Sequence, residues 1–453
     1  MATVALPIET KVREFDGKLW LGLNLINNGH SVILGPSDEL SSTFDITKPD
    51  IYIMKDPGDS NVDLVTKLQS AGVIVCGLDT EGGVFDAIDQ YTRNKKQILN
   101  HLDAFFVWGN QQAKAVQRHY KEPCENLHVT GNPRFDLLQP NYRSYYDKLA
   151  SSHRSEYGEY VLVNGNFSIA NPYREQMISK VEEIHGKIES QKYVYNSRIF
   201  HLFLDAIYHI ASEIEGTTVI VRPHPSEDNT TYEREFARHD NIVVEDSGDV
   251  RTWIAGAQAT IHHDCTTGIE SALMGAPTVS YRPIQNEEYE SELPIFVSSE
   301  ARTPDSLADY VLGSIESDDP YELTNKQKNY LKKYFHNIDR PAAERICSII
   351  EEVELRENKL GGTLRPSVYD RFERRIKSSR WESQTVVLYD AFHQLIGDRS
   401  PRERRQYRNQ KFPGLTKEEV EENISQLDKY LKINNTSVES VHLTDNTFYL
   451  YNK

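Results

Sequence analysis

Short apolar runs alternate along the chain with longer stretches of helical periodicity. The runs at 3–8 and 72–77 are rich in branched apolar side chains and are followed by polar residues or glycine. Runs of this length are typical of strands that a parallel sheet buries on both faces. Between them, the stretch at 16–28 has apolar residues at helical spacing. The alternation of strands and helices predicts an α/β fold with doubly wound, Rossmann-like sheets.

The length of 453 residues allows two such domains and an extension. We predict an N-terminal Rossmann-like domain at 1–140 and a second one at 160–355, joined by a polar linker. A mainly helical extension is expected at 363–453. It opens with a basic, aromatic segment, because residues 365–411 contain twelve Lys or Arg against six Asp or Glu.

The stretch from Thr266 to Glu270 predicts a helix start directly after a strand. Thr267 and Glu270 have the spacing of a capping box, and Gly268 lies between them. A helix that opens on Thr-Thr-Gly offers N–H groups, hydroxyls and the positive end of its dipole to an anion such as phosphate. Taken alone, the pattern favours an ordinary capped helix, but a second motif changes that interpretation.

The second motif is a histidine that follows another predicted strand. His224 stands in Arg-Pro-His-Pro, and the carboxyl ends of parallel strands share the rim of the sheet where ligands bind. We therefore predict that His224 and the turn at 266–268 hold a phosphate, with Arg222 beside them. His262 and His263 also follow a strand, and alternation sends them to opposite faces, so one of them is expected to be structural.

The two motifs resemble those of nucleotide-sugar glycosyltransferases with two Rossmann-like domains, the GT-B architecture. The likeness is to bacterial sialyltransferases, Kdo transferases of capsule assembly and CDP-glycerol glycerophosphotransferases. Residues 1 to about 350 also resemble the surface carbohydrate biosynthesis protein family of bacteria and archaea. That second resemblance rests on Arg-Glu-Phe-Asp at 13–16, Leu-Asp-Thr-Glu-Gly-Gly at 78–83, Gly-Asn-Pro-Arg-Phe-Asp at 131–136 and Asn-Gly-Asn-Phe at 164–167.

For the donor, the residues and the resemblance together assign the following roles. His224 would contact the leaving phosphate, as hydrogen-bond donor or as cation. Thr266, Thr267 and the backbone at Gly268 would share that task. The resemblance implies that Glu270 accepts the ribose hydroxyls.

The general base is expected in the first domain, at 78–83. Asp79 and Glu81 follow a predicted strand beside two glycines, where a carboxylate suits proton abstraction. The segment resembles the acidic-acidic-Gly motif of the sialyl- and Kdo-transferases, in which a carboxylate is the base. Thr80 departs from that motif at its first acidic position, so we prefer Glu81 to Asp79. A carboxylate that caps the next helix is the competing interpretation.

Further residues near the predicted strand ends are assigned to the cleft. Each is polar, and each would contact donor or acceptor unless it caps a helix or holds a turn. They are Glu9, Arg13, Glu14, Asn132, Arg134, Asn164, Asn166 and His263.

Composition limits the partners. A formal charge of −17 argues against general nucleic-acid binding. No apolar run approaches the ~20 residues that cross a bilayer. The four cysteines lack Cys-x-x-Cys spacing and the histidines lack a third ligand, so we expect neither metal nor cofactor. We expect no signal peptide, a cytoplasmic location, and either peripheral membrane contact through 363–411 or pairing of that segment with the acidic body of the protein.

These expectations lead to one preferred function. It is a metal-independent, inverting glycosyltransferase that moves a sugar from a nucleotide-activated donor to a surface polysaccharide or to a glycan or lipid-linked precursor. A CMP-linked acid sugar is the favoured donor, and a UDP-sugar stays open. The alternatives are a nucleotide-sugar 2-epimerase, which has a similar Val-Thr-Gly-Asn junction, a CDP-polyol phosphotransferase, and a catalytically silent scaffold.

Overall fold

A computed structural model provides the coordinates of the chain. It describes residues 1–80, 95, 97–120, 122–139, 141–173, 176–317, 321–338, 340–353, 355, 411–430 and 438–452. The chain divides into two compact units. The described residues of Met1–Gly82, Tyr91–Asp136 and Phe335–Lys453 form the first unit, and those of Leu137–Tyr334 form the second.

The first unit opens with alternating strands and helices. Strands β1 to β6 are Thr3–Ile8, Ser31–Pro36, Ile51–Lys55, Ile74–Leu78, Ala104–Val107 and Leu127–Val129. Helices α1 to α5 are Lys11–Asn27, Ser37–Ser42, Phe44–Thr47, Val62–Ser70 and Asn110–Gln117.

The second unit repeats the alternation, and the chain then returns to the first unit. Strands β7 to β12 are Tyr160–Asn164, Thr218–Arg222, Ile242–Val244, Thr260–His262, Thr278–Tyr281 and Ser299–Ala301. Helices α6 to α13 are Asp147–Tyr157, Gln176–Glu213, Asn229–Phe236, Val250–Gly256, Thr266–Leu273, Glu292–Phe296, Pro304–Glu316 and Asn325–Tyr334. The return segment contributes α14 (Ala342–Glu352), α15 (Lys417–Asp428), β13 (Val438–Thr444) and β14 (Thr447–Asn452).

Each unit contains one sheet whose strand order reverses once. The first sheet has the order β13-β14-β2-β1-β3-β4-β5-β6, with β1 to β6 parallel and β14 antiparallel to β2. The second has the order β12-β11-β10-β7-β8-β9, and all its pairings are parallel. In such doubly wound sheets, ligands bind at the carboxyl ends of the strands where the order reverses. That point lies between β1 and β3 in the first unit and between β7 and β10 in the second.

Burial on both faces explains the continuous apolar runs. All five residues of β7 are buried. Val161 and Val163 belong to the core that includes Phe203 and Ile207 of α7. From β7, the Tyr160 hydroxyl donates to the carbonyl of Trp253 in α9 at 2.8 Å. Strand β7 therefore has no solvent face and needs no alternation of polar residues.

The predicted linker at 139–159 is part of the second unit. It contains helix α6, whose His153 stacks on Trp253 with ring centroids 3.7 Å apart. The ring of His153 also bonds Thr252 at 2.9 Å. The sequence pattern missed this helix because Ala150 is the only residue of α6 that is buried.

The helix predicted from 325 to about 354 is broken, and only its first part belongs to the second unit. Pro341 precedes α14, where proline cannot donate an N–H to an earlier turn. Asp136 of the first unit accepts the N–H groups of Ala342 and Ala343 at 2.7 and 2.9 Å. This carboxyl caps α14 and fixes it to the first unit.

The described part of 363–453 differs from the predicted, mainly helical extension. It consists of α15 and of the hairpin β13–β14, which extends the first sheet beyond β2. Thr416 caps α15 by accepting the N–H of Glu419, as the sequence predicted. Of the basic segment at 363–411, only Lys411 lies within the described residues.

Candidate functional site

The switch point of the second unit lies between β7 and β10, and α10 begins there. Asn166, in the loop after β7, donates from Nδ2 to Oδ1 of Asp264, in the loop after β10, at 3.1 Å. Asn164 ends β7, and its side chain is buried. Its Nδ2 has no hydrogen-bond partner among the residues that the structure describes. A buried N–H without a partner is costly, so Asn164 is a candidate donor to a ligand at this point.

Helix α10 starts without the predicted capping box. Its N-cap residue is Cys265, and within the described residues no side chain caps it. Thr267 is already the second helical residue, and Glu270 is the fifth, with a side chain that is 1% exposed. The prediction of a Thr267–Glu270 box is wrong because the helix begins two residues earlier than the spacing implied. The first-turn N–H groups at Thr266 and Thr267 still lie at the switch point.

Gly268 serves helix packing. A Cβ atom at Gly268 would lie 2.3 Å from Nε2 of His262, so α10 rests directly on that ring. His262 is fully buried, and burial, together with a smaller effect of His263, lowers its pKa to about 3. The neutral ring bonds the Ser298 hydroxyl at 2.8 Å. The structure therefore explains this glycine by contact with His262 and not by approach of an anion.

His224 lies in the loop after β8 with a defined ring orientation. Its Nδ1 accepts the N–H of Ser226 at 3.2 Å. A neutral ring in this arrangement carries its proton on Nε2, so Nε2 is a hydrogen-bond donor. The side chain is half-buried. Of the two roles predicted for His224, the geometry suits the neutral donor.

Glu227 holds the His224 loop and was not identified from the sequence. Its Oε1 accepts the N–H of His224 at 2.9 Å and that of Phe167, after β7, at 3.0 Å. Oε2 accepts the hydroxyl of Tyr232. Burial raises the pKa of Glu227 to about 7, against the opposing effect of these hydrogen bonds. An acidic residue three positions after the histidine was the available signal.

Arg222 supports the neighbouring loop. Its guanidinium donates to the carbonyls of Glu245, Asp246, Ser247 and Gly248 at 2.8 to 3.2 Å. It also lies over the ring of Trp253, with Cζ 5.1 Å from the centroid. This role differs from the predicted phosphate contact, because the donors of both terminal nitrogens are directed at backbone oxygens.

His263 lies beneath the rim, in a buried network. Its Nδ1 bonds the carbonyl of Tyr281 at 3.0 Å, and its Nε2 bonds the Tyr195 hydroxyl at 3.2 Å. Tyr195 in turn donates to Glu290 at 2.9 Å, and Arg282 pairs with Glu290. His262 and His263 thus have different neighbours, as alternation predicted, but both are structural.

The first unit has its own small cavity close to its switch point. The volume that the centre of a water-sized group can occupy in this cavity is about 20 Å³. The residues that line it come from the start of α1, from the ends of β3 and β4, and from the loop after β6. They are Arg13, Glu14, Gly17, Lys18, Lys55, Leu78, Thr80, Asn132, Pro133 and Arg134.

Glu9 and Glu14, predicted for the cleft, are held by lysines. Lys55 Nζ lies 2.8 Å from Glu9 and 3.1 Å from Glu14. Lys411 contacts Glu9 at 2.6 Å. Burial opposes ionisation of Glu9, but the two lysines outweigh it and lower its pKa to about 2. Glu14 also accepts the N–H groups of Glu9 and Thr10, so it fixes the turn before α1.

The predicted base segment is anchored by residues that the sequence did not single out. Asp56, after β3, accepts both the N–H and the hydroxyl of Thr80. Asp56 has φ 40°, a left-handed conformation that is uncommon for a non-glycine residue. Asp79 is fully buried, 3.8 Å from Lys95 Nζ, so it has no exposure to a substrate. Glu81, the preferred base, lies outside the described residues.

Asn132 and Arg134 are placed by a dense set of backbone contacts. Asn132 donates from Nδ2 to the carbonyl of Asp79 at 2.8 Å and accepts the N–H of Arg134 at 2.9 Å. A Cβ atom at Gly17 would lie 2.7 Å from Cα of Arg134, so this glycine allows α1 to approach the loop. Both predicted residues therefore reach the cavity wall.

In the described part of the chain, no helix is both long and apolar enough to cross a membrane. Sequence comparison gives no relative, since neither a protein-family model nor a curated protein matches the chain.

Solved structures do resemble the chain. The UDP-GlcNAc 2-epimerase from Methanocaldococcus jannaschii has a TM-score of 0.50 at 12% identity, over 78% of this chain and 99% of that chain. A MnaA–UDP complex from S. aureus gives 0.47 at 14% identity, over 78% and 96%. The wall teichoic acid polymerase TagF gives 0.46 at 10% identity, over 77% and 87%. The epimerase likeness and the two sheets confirm the predicted fold class, two Rossmann-like doubly wound domains of the GT-B type.

Proposed function

We propose that this protein is an enzyme that binds a nucleotide-activated sugar in its second unit. The observation that carries the proposal is the arrangement at the carboxyl ends of β7, β8 and β10. There, Nε2 of His224 is a hydrogen-bond donor in the loop after β8, and α10 directs its first-turn N–H groups at the switch point beside β7. Donors of this kind suit the phosphates of a nucleotide.

The reaction that we propose is glycosyl transfer to a glycan or lipid-linked precursor, with inversion. His224 would donate a hydrogen bond from Nε2 to the leaving phosphate, which stabilises its developing charge. Glu227 would act as a positioning residue, because it fixes the backbone of His224. Glu81 remains our candidate for the base that takes the proton of the acceptor hydroxyl. The motif resemblance favours a CMP-linked acid sugar as donor.

Nucleotide binding by thermal shift tests the proposal. CMP, CDP, UDP and GDP are each added to the wild type, to His224→Ala and to a control, His201→Ala. His201 is an exposed histidine of α7. We expect one nucleotide to raise the Tm of the wild type and of the control, and to raise that of His224→Ala much less. An equal shift in all three proteins would refute the role of His224.

A nucleotide-sugar 2-epimerase is the second candidate. The observation that favours it is the Val-Thr-Gly-Asn junction at 129–132, which resembles that of epimerases. An assay that contains only UDP-sugar, without acceptor, separates the two reactions. Conversion of the sugar to its 2-epimer in that assay would identify the reaction as epimerisation and overturn the proposed transfer. Hydrolysis of the UDP-sugar, or no change, would leave transfer as the proposed reaction.

A further inference from the structure

Among the residues that the structure describes, Lys18 is a buried lysine without a salt bridge. It lies in α1, its side chain is 3% exposed, and its Nζ has no hydrogen-bond partner among the residues that the structure describes. Burial lowers the pKa of Lys18 to about 8, while Glu14 and Asp56 oppose the shift. The amine is therefore mainly charged at neutral pH. A buried charge without a partner is strongly unfavourable, so the arrangement is incomplete as it stands.

The neighbouring carboxylates are already engaged by other groups. Glu14 pairs with Lys55 and accepts two backbone N–H groups. Asp56 accepts the N–H and the hydroxyl of Thr80 and lies 3.7 Å from Lys55. Neither of them contacts Lys18 within 4.0 Å in the described structure. Within the described part of the chain, neither carboxylate serves as the counter-charge of Lys18.

Positive groups around the cavity beside Lys18 outnumber the negative ones by one. Arg13, Lys18, Lys55 and Arg134 line it together with Glu14, and Lys55 also pairs with Glu9 and Asp56, which makes four positive and three negative groups. The chain as a whole has a net charge of −17, so this small positive excess is local. The cavity has room for only a few heavy atoms, so it can hold one small group but not a whole sugar ring.

We propose that this cavity binds a small anionic group, a carboxylate or a phosphoryl group, through the ammonium of Lys18 and with Arg134 on its wall. A compound that the first unit recognises would thus carry such a group. The inference does not depend on the transfer reaction, because all the residues involved belong to the first unit and nucleotide binding was assigned to the second.

The test uses sulfate, which stands for a phosphoryl group, and acetate, which stands for a carboxylate. Each is titrated against the wild type, Lys18→Met and a matched control, Lys67→Met, with chloride added to keep the ionic strength constant. Lys67 is an exposed lysine of α4, so its substitution removes the same charge without touching the cavity. General stabilisation by sulfate is common to all three proteins and cancels in the comparison.

We expect sulfate or acetate to raise the Tm of the wild type and of Lys67→Met. Anion affinity should be about ten- to a hundredfold weaker in Lys18→Met, since a charge-assisted hydrogen bond is lost. A response to sulfate alone assigns the site to phosphoryl groups, and a response to acetate alone assigns it to carboxylates. Equal responses in all three proteins, or no response in the wild type, would overturn the proposal.

The wild type alone provides a second test if Lys18→Met does not fold. The anion response should fall as the pH rises through about 8, where Lys18 loses its charge. Sulfate and acetate keep their charge there. The charged groups that line the cavity or act on Lys18 are Arg13, Glu14, Lys55, Asp56 and Arg134. Nearby acidic groups raise the pKa of Lys55, so that lysine keeps its charge in this range. A response that is unchanged above that pH would contradict the role of Lys18.

Discussion

Two buried carboxyl groups hold the backbone of segments that are distant in the sequence. Glu227 joins the loops that carry His224 and Phe167, and Asp136 caps α14. Burial raises the pKa of each to about 7, although the hydrogen bonds that they accept act in the opposite direction. Such a carboxyl binds its proton more tightly in the folded than in the unfolded protein. Its contribution to stability is full below its ordinary pKa and is lost as the pH rises through the raised one.

We predict that Glu227→Gln removes the part of the pH dependence of stability that Glu227 contributes. Glutamine does not titrate, its carbonyl oxygen can accept both N–H groups, and the Tyr232 hydroxyl can turn to accept from its amide. The stability of the variant relative to the wild type should rise by on the order of 3 kcal/mol from pH 4.5 to 7, the window set by the ordinary and the raised pKa. Urea unfolding at both ends of this window measures the difference.

Glu227→Ala is the matching control, because it leaves the N–H groups of His224 and Phe167 without their acceptor. It should be less stable than Glu227→Gln at every pH, by about 1–3 kcal/mol. If the stabilities of the wild type and Glu227→Gln change in parallel with pH, the raised pKa of Glu227 is refuted.

At the scale of elements, the position of α10 depends on one close contact with β10. Gly268 meets the ring of His262, and the Ser298 hydroxyl, which donates to the carbonyl of Pro294, accepts from that ring. The imidazole therefore cannot move without losing its bond. Because α10 supplies the N–H groups proposed for phosphate binding, this contact sets where they lie.

We predict that Gly268→Ala destabilises the protein by about 1–3 kcal/mol, because the new methyl group forces α10 away from His262. Gly313→Ala is the control. Gly313 also lies inside a helix, α12, but no described atom beyond its neighbours in that helix lies within 4 Å of an added Cβ. Alanine there should stabilise by up to about 1 kcal/mol through helix propensity. Thermal unfolding compares the two, and changes of the same sign would contradict the packing argument.

At the scale of the whole molecule, the chain begins and ends in the same unit. The described residues from Phe335 onwards belong to the first unit, and β14 pairs with β2 in an antiparallel arrangement. The hairpin thereby covers an edge that β2 would otherwise expose to other chains. Phe448 and Leu450 of β14 are fully buried, so this pairing also completes the core on that side.

We predict that Phe448→Ala costs about 3–5 kcal/mol, the usual range for a buried aromatic side chain. Tyr451→Ala on the same strand is the control, because Tyr451 is only half-buried and bonds Glu439 within the hairpin. Its substitution should cost much less. Equal losses in urea unfolding would mean that the hairpin does not share the core of the first unit.

Local patterns in the sequence determined the elements and the rim. Strand β1 was predicted at 3–8 and is observed as Thr3–Ile8, and the His224 and Thr266 motifs do follow parallel strands at their carboxyl ends. These features follow from neighbouring residues, because a buried run and a polar turn are encoded within a few positions. Helix α6 was not predicted, because the pattern of apolar residues along it is weak.

Only the tertiary structure decided which groups meet. The sequence offered Arg222 for phosphate, but the fold brings its guanidinium to the carbonyls of 245–248. The sequence analysis did not single out Lys18 or Glu227, whose surroundings come from segments that are distant in the sequence. Asn166 and Asp264 meet across 98 positions for the same reason. Strand order and register bring such residues together, and both depend on the packing of the whole sheet, which no local pattern specifies.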